Sequence, residues 1–262
     1  MELQDNKLSG VLPPEVGNMT TLSRLNLRNN LLAGTIPFEL GKLASLQDLC
    51  LSYNHFEGAV PDLNLPSLQT FRAKGCRFST FGLLGAAVEE IDVGENMLRA
   101  LPQAWKHLPS VHTLRLENNS IRSWEPHGCL MAALGTAAPL CGATATIPRL
   151  SWPSLEILDI SDNTLSMSAE EFLCSLGYLP KLRMLSAAGC GLEGAIDPWP
   201  NREFLVPARS LVDCGVAKAD QQKAFPDLFF LDLSRNSITA ITTAVLRHMS
   251  KRRGKHRIHR TS

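Results

Sequence analysis

The side chains most able to do chemistry in this sequence are its seven cysteines and seven histidines. The cysteine count is odd, and the cysteines show no tight pairing pattern, which argues against a disulfide framework. His248, His256 and His259 lie near the C-terminus with no cysteine or carboxylate beside them, so they are not expected to bind a metal. We therefore expect neither a metal nor a cofactor.

Motifs for catalysis are absent from the sequence. There is no His-Glu-x-x-His, no Gly-x-Ser-x-Gly and no phosphate-binding loop. The sequence contains no run of about 18 apolar residues, so it predicts no transmembrane helix. The first residues lack the basic start and apolar run of a signal peptide. The sequence therefore predicts a protein with no catalytic residues.

Four of the cysteines take positions in an internal repeat. Residues 22–37 follow the pattern L-x-x-L-x-L-x-x-N-x-L-x-G-x-I-P, and residues 46–61 follow it 24 positions later with Phe for one Leu and Val for Ile. Weaker copies continue along the chain, in steps of 20 to 27 residues. The Asn position of the pattern is filled by Asn6, Asn30, Asn54, Cys76, Asn96, Asn119, Cys141, Asn163, Cys190, Cys214 and Asn236. Cys141 and Cys214 belong to two degenerate repeats, around 125–154 and 197–227.

Each repeat can form one turn of a coil. The L-x-x-L-x-L segment contributes a short strand, and the strands stack into a parallel sheet. An Asn side chain inside the turn can bond backbone groups that the bend leaves unpaired. Cys can replace it as a small buried residue with a weak S–H donor. One repeat cannot bury its own apolar face, so neighbouring turns must cover it.

These residues resemble the leucine-rich repeat family over nearly the whole chain. Residues 1–61 resemble the plant-type subclass found in receptor-like kinases and receptor-like proteins. The resemblance implies an α/β fold: a right-handed, horseshoe-shaped solenoid of about eleven repeats over residues 1–246, with a parallel β-sheet on its concave face. The chain begins inside a repeat, without the polar cap that a solenoid end requires, so we expect a fragment or a gene model that starts too late.

The resemblance also implies where a partner would bind. In this family the concave sheet usually carries the partner, and its exposed side chains alternate with the buried ones along each strand. The candidate partner-binding residues are Arg24, Asn26, Arg28, Asp48, Tyr53, Arg72, Lys74, Glu89, Glu90, Asp92, Glu95, Arg115, Glu117 and Asp159. A basic spot (Arg72, Lys74) beside an acidic cluster favours a partner of mixed charge. The alternative is that these side chains are simply solvated.

The C-terminal residues 247–262 differ from the rest of the chain in charge. They hold seven basic residues and no acidic one, whereas the remainder holds 19 basic and 25 acidic residues. This tail could bind nucleic acid or an anionic membrane, or act as a nuclear import signal. The alternative, which we favour, is a disordered end without a binding role.

The sequence predicts a protein that recognises another protein on its concave face, with a peptide or a glycan-bearing ligand as variants of that partner. One hypothesis is a fragment of a receptor at the cell surface, from the resemblance of residues 1–61. The other is an intracellular scaffold or regulatory subunit in the cytoplasm, favoured by the unpaired cysteines and the lack of a targeting segment.

Overall fold

The computed structural model describes residues 1–106, 108–122, 124, 152–176, 179–196 and 227–241. The described residues form a stack of turns that carries one long parallel sheet. In chain order its strands are β2 (Arg24–Asn26), β4 (Asp48–Cys50), β6 (Thr70–Arg72), β8 (Glu90–Asp92), β9 (Thr113–Arg115), β10 (Ile157–Asp159), β11 (Met184–Ser186) and β13 (Phe230–Asp232). A single bridge between Glu2 and Asn26 adds the first turn to its edge.

Every strand of this concave sheet buries its middle residue and turns the two outer ones to the concave side. The middle residues are Leu25, Leu49, Phe71, Ile91, Leu114, Leu158, Leu185 and Leu231. They pack between neighbouring turns and form a continuous core. Because side chains alternate along a strand, the residue types on the concave side can vary without disturbing this core.

Short elements line the flank and the outer side of the stack. A second parallel sheet holds β1 (Ser9–Val11), β3 (Leu31–Gly34), β5 (His55–Val60) and β7 (Arg77–Phe81), and a separate pair holds β12 (Glu193–Ile196) and β14 (Ser237–Ile241). In the described segments, 3₁₀ helices span Pro14–Asn18, Phe38–Lys42 and Gln103–Trp105.

Helix α1 (Ala169–Ser175) opens with a reciprocal cap. The Ser168 amide donates to Glu171 Oε2 at 2.9 Å, and the Glu171 amide donates to Ser168 Oγ at 3.1 Å. The cap satisfies two amides at the start of a helix of seven residues.

The repeated Asn side chains join adjacent turns. Asn54 Nδ2 donates to the Leu27 carbonyl of the preceding turn at 2.9 Å and to the Leu51 carbonyl of its own turn at 3.0 Å, while its Oδ1 accepts from the Leu32 amide at 3.1 Å. The residue before each such position has a left-handed backbone, with φ between 54° and 67°. The tight bend leaves backbone groups unpaired, and the Asn amide satisfies them.

Cysteine fills the same place in two of the described turns. Cys76 Sγ lies 3.5 Å from the Leu51 carbonyl oxygen, and Cys190 Sγ lies 3.1 Å from the Ile160 carbonyl oxygen. Burial raises the pKa of each thiol to about 11. Both side chains are therefore neutral and structural at physiological pH.

The described residues stack fewer turns than the eleven repeats expected for the whole chain. Strand β9 pairs directly with β10, and β11 pairs directly with β13. Asn163 Nδ2 donates to the Leu116 carbonyl, and Asn236 Nδ2 donates to the Ala187 carbonyl, so each reaches straight across to the turn before the gap. The described sheet therefore has no further strand between β9 and β10 or between β11 and β13. That the segments around 125–154 and 197–227 are degenerate repeats stays a prediction, because residues 125–151 and 197–226 lie outside the described residues. Cys141 and Cys214 lie outside the described residues, as does the basic tail.

The described stack thus has nine turns. Their Asn or Cys positions are Asn6, Asn30, Asn54, Cys76, Asn96, Asn119, Asn163, Cys190 and Asn236. Asn6, in the first turn, bonds only within its own turn, to the Leu3 and Gln4 carbonyls.

Candidate functional site

The concave sheet presents two straight rows of side chains. The strand register aligns the first residues of successive strands, such as Ile157 with Met184, and likewise the third residues, such as Asp159 with Ser186. Adjacent strands are about 4.8 Å apart, so neighbours within a row can touch. The chemistry of the face is therefore set by which residue types meet across strands.

Ion pairs connect the rows in the N-terminal half. Arg24 lies between Glu2 at 3.7 Å and Asp48 at 3.5 Å, and Arg72 lies 3.7 Å from Asp48. Arg72 also makes two hydrogen bonds to Glu90, of 3.2 and 3.0 Å. Arg115 then lies 3.5 Å from the same Glu90 carboxylate. Charges of alternating sign thus run from the first turn to β9.

A second group of charges lies on the residues that follow the strands. Lys74 Nζ is 2.6 Å from Glu117 Oε1 and 3.2 Å from Glu95 Oε1. The Lys74–Glu117 pair passes over the turn between them, where Gly94 stands; a Cβ there would lie 2.5 Å from Glu117 Oε1. Burial lowers the pKa of Lys74, but its hydrogen bonds to Glu117 and Glu95 and the negative charges of Glu117 and Asp92 outweigh this and raise the pKa. The lysine is firmly charged.

Asp92 lies between these two groups and is half-buried. Burial raises the pKa of its carboxyl group, and the negative charge of Glu117 raises it further. Its Oδ1 accepts a hydrogen bond from the Gly94 amide at 3.3 Å. Asp92 makes no ion pair among the described residues, and its surroundings disfavour the ionised form of its carboxyl group.

The basic spot and the acidic cluster expected from sequence largely neutralise each other. Arg72 and Lys74 each bond to carboxylates of the cluster. Arg28 lies over the Tyr53 ring, 5.0 Å from its centroid, and Asn26 donates to Glu2. Glu89 is exposed at the edge of β8 with no ion pair among the described residues. This half of the face is thus a pre-paired charged surface rather than an open mixed-charge site.

The C-terminal half of the face is different in character. The first-residue row there holds Ile157, Met184 and Phe230, all half-buried, and Phe229 beside them is 46% exposed. None of these apolar residues is among the candidates named from sequence. The signal of the row in the sequence is its position, because its residues hold the same places in the repeat pattern as Arg24 and Asp48.

The row beside it carries Asp159, Ser186 and Asp232. Asp159 Oδ1 accepts hydrogen bonds from the Ser161 amide at 3.0 Å and hydroxyl at 2.6 Å, and Asp232 Oδ1 accepts from the Ser234 amide at 2.9 Å. Each carboxylate is held in place by its own turn. No cation of the described residues pairs with either one.

Solved structures share this architecture. The chain is 22% identical to "Plant peptide hormone receptor RGFR1 in complex with RGF2" over 91% of its own length and 32% of that chain, with a TM-score of 0.61. It is 24% identical to the ectodomain of the plant membrane receptor kinase GASSHO1/SCHENGEN3 from Arabidopsis thaliana, in complex with CASPARIAN STRIP INTEGRITY FACTOR 2. That match covers 94% of this chain and 28% of the other, with a TM-score of 0.61. It is 21% identical to the leucine-rich repeat domain of APL1B, over 94% of this chain and 57% of the other, with a TM-score of 0.62.

The Leucine Rich Repeat family model matches residues 21–43 and 154–176. The chain contains leucine-rich repeats at these residues and has the leucine-rich repeat fold. The predicted fold class, a solenoid with a parallel concave sheet, is confirmed. The chain spans about a third of the two plant receptor chains and 57% of the APL1B chain. No curated protein sequence matches it.

Among the described residues, no three His, Cys, Asp or Glu side chains lie together as metal ligands. No helix of the described segments is long and apolar enough to cross a membrane. A shallow polar depression on the N-terminal concave face is lined by Glu2, Ser23, Arg24, Gln47, Asp48, Gln69 and Thr70.

Proposed function

We infer that this leucine-rich repeat protein recognises another protein, or a peptide of one, on its concave face and catalyses no reaction. The observation that carries this is the contrast between the two sides of each concave strand. The inward residues are uniformly apolar, whereas the outward ones range from arginine to phenylalanine. A stack built this way can display a specific pattern of side chains without a change in its core.

The structural neighbours support a receptor-like role. Two of them are plant receptors, solved with RGF2 and with CASPARIAN STRIP INTEGRITY FACTOR 2 respectively, and the first is described as a peptide hormone receptor. We propose that this chain is likewise part of a receptor-like protein. The second candidate is an intracellular scaffold, which the free cysteines Cys50, Cys76 and Cys190 favour.

Affinity capture with two matched pairs of variants tests the concave-face proposal. Thr70→Lys and Met184→Lys place a charge on the first-residue row of β6 and β11. The controls Thr164→Lys and Met97→Lys make the same changes one residue after Asn163 and Asn96, at exposed positions outside the concave strands.

We expect a partner captured by the wild-type chain to be lost with at least one concave variant and retained with both controls. Circular dichroism and thermal unfolding would confirm that all four variants are folded. A partner that is retained by both concave variants, or lost with a control, would overturn the proposal.

A further inference from the structure

The charge that remains on the concave face after internal pairing is almost all negative. Six cations of the face have an ion pair of 3.7 Å or shorter: Arg24, Arg72, Lys74, Arg115, Arg183 and Arg235. The seventh, Arg28, lies over Tyr53. By contrast, Glu89, Asp92, Asp159 and Asp232 lie on or beside the strands and have no ion pair among the described residues. A partner that complements this face must bring positive charge.

Two of the unpaired carboxylates stand beside the apolar row. Asp159 follows Ile157 by two residues on β10, and Asp232 follows Phe230 by two residues on β13. Residues two apart on a strand point to the same side, about 7 Å from each other. The face between β10 and β13 therefore offers an apolar row and an acidic row in parallel.

Both carboxylates are fixed in orientation before any partner arrives. Each accepts hydrogen bonds through Oδ1, Asp159 from the Ser161 amide and Asp232 from the Ser234 amide. None of the described residues donates a hydrogen bond to Oδ2 of either carboxylate. An acceptor held in place in this way can bind a cation without a further ordering cost.

We propose that the apolar row (Ile157, Met184, Phe230) and the acidic row (Asp159, Asp232) together bind a partner segment in which lysine or arginine alternates with bulky apolar residues. The proposal rests on the proposed function and adds the chemistry of the partner. The apolar side chains of the segment would cover Met184 and Phe230, while its cations would meet the two Asp carboxylates. The rings of Phe229 and Phe230 would also attract a cation lying over them.

The basic tail of the chain is a competing source of positive charge. Residues 247–262 hold seven basic residues but few bulky apolar ones, Met249 and Ile258. They therefore match the acidic row and not the apolar row. A chain ending at residue 246 separates the two sources.

Titration of the full chain with synthetic peptides tests the proposal. The probe is a fluorescent heptapeptide, Lys-Leu-Lys-Phe-Lys-Leu-Lys, measured by anisotropy. The comparison peptides replace every Lys by Glu, or every Leu and Phe by Ser. We expect the basic–apolar peptide to bind at least about tenfold more tightly than either comparison peptide, with affinity falling as salt is added.

The variants locate the binding. The double variant Asp159→Asn with Asp232→Asn keeps each Oδ1 acceptor and removes both charges, and we expect it to bind the probe about tenfold more weakly. The charge-matched control, Asp5→Asn with Glu57→Gln, changes two exposed carboxylates at the other end of the stack and should bind within about twofold of wild type. Met184→Gln should also weaken binding of the probe.

Three results would overturn the proposal. They are equal binding of the Lys and Glu peptides, equal loss with the Asp5/Glu57 control, or a large gain in affinity when residues 247–262 are removed, which would assign the face to the chain's own tail. Each of these can occur while the captured partner is still lost with Thr70→Lys or Met184→Lys. Failure here is thus distinct from failure of the concave-face proposal itself.

Discussion

Replacing one buried Asn between turns tests how the stack is held together. Asn54 is 4% exposed and contacts the turn before it as well as its own. In Asn54→Ala the Leu27 carbonyl keeps a donor from Asn30 Nδ2 at 3.0 Å, and the Leu51 carbonyl keeps Cys76 Sγ at 3.5 Å. The Leu32 amide, by contrast, loses the side-chain acceptor that it has in the structure.

The expected cost follows from this inventory. A buried amide without a partner costs about 1–3 kcal/mol, and each lost carbonyl hydrogen bond costs about 0.5–1.5 kcal/mol. Asn54→Ala should therefore lower the free energy of unfolding by about 3 kcal/mol. Asn54→Cys should cost less, about 2 kcal/mol, because a thiol at this position can still donate weakly to a carbonyl, as Cys76 does.

The matched control is Asn6→Ala. Asn6 is exposed and bonds only the Leu3 and Gln4 carbonyls of its own turn. Its loss should cost less than about 1 kcal/mol. Urea unfolding followed by tryptophan fluorescence and circular dichroism measures all three variants. An equal loss of unfolding free energy in Asn54→Ala and Asn6→Ala would refute the claim that these Asn side chains stabilise the fold mainly through contacts between turns.

Three further predictions concern charge and reactivity. Lys74→Met should lower the free energy of unfolding by about 2 kcal/mol, because it leaves the Glu117 carboxylate without its cation and beside Asp92. Adding Glu117→Gln should recover most of the lost stability. A double variant as unstable as Lys74→Met would contradict the pairing. Asp92→Asn should stabilise the chain at neutral pH, because the raised pKa of Asp92 means that its ionised form disfavours folding. That gain should shrink as the pH falls below the raised pKa of the folded chain and vanish below the ordinary Asp pKa of the unfolded chain, which urea unfolding across pH can show. A gain that grows in acid would reverse the sign we derive. Cys76 and Cys190 should resist alkylation in the native chain and react in urea, as peptide mass mapping can follow, and rapid native labelling would contradict their burial.

The core and the Asn positions could be predicted from sequence because one period fixes both. Every turn needs an apolar residue at the middle of its strand and a side chain that satisfies the bend, so Leu49 and Asn54 follow from spacing alone. The direct pairing of β9 with β10 could not be predicted in the same way. Cys141 falls at a plausible step from Asn119, and only the strand pairing shows that no further strand of the described sheet lies between β9 and β10.

The contacts within the candidate site could not be predicted from the sequence. The spacing gives no sign of the hydrogen bonds between Arg72 and Glu90 or of the ion pair between Lys74 and Glu95. The Lys74–Glu117 pair joins turns that are not adjacent and depends on the space above Gly94. The positions of Ile157, Met184 and Phe230 follow from the repeat pattern. That they form a row parallel to Asp159 and Asp232 follows only from the strand register.

Site-specific photocrosslinking tests the central claim, recognition on the concave face, most directly. A benzoylphenylalanine would replace Met184 on the concave sheet or, as the matched control, the exposed Met97 after Asn96. The account predicts that a partner captured by the chain is crosslinked from position 184 and not from position 97. Crosslinking from position 97 alone would place recognition on another face and contradict the account.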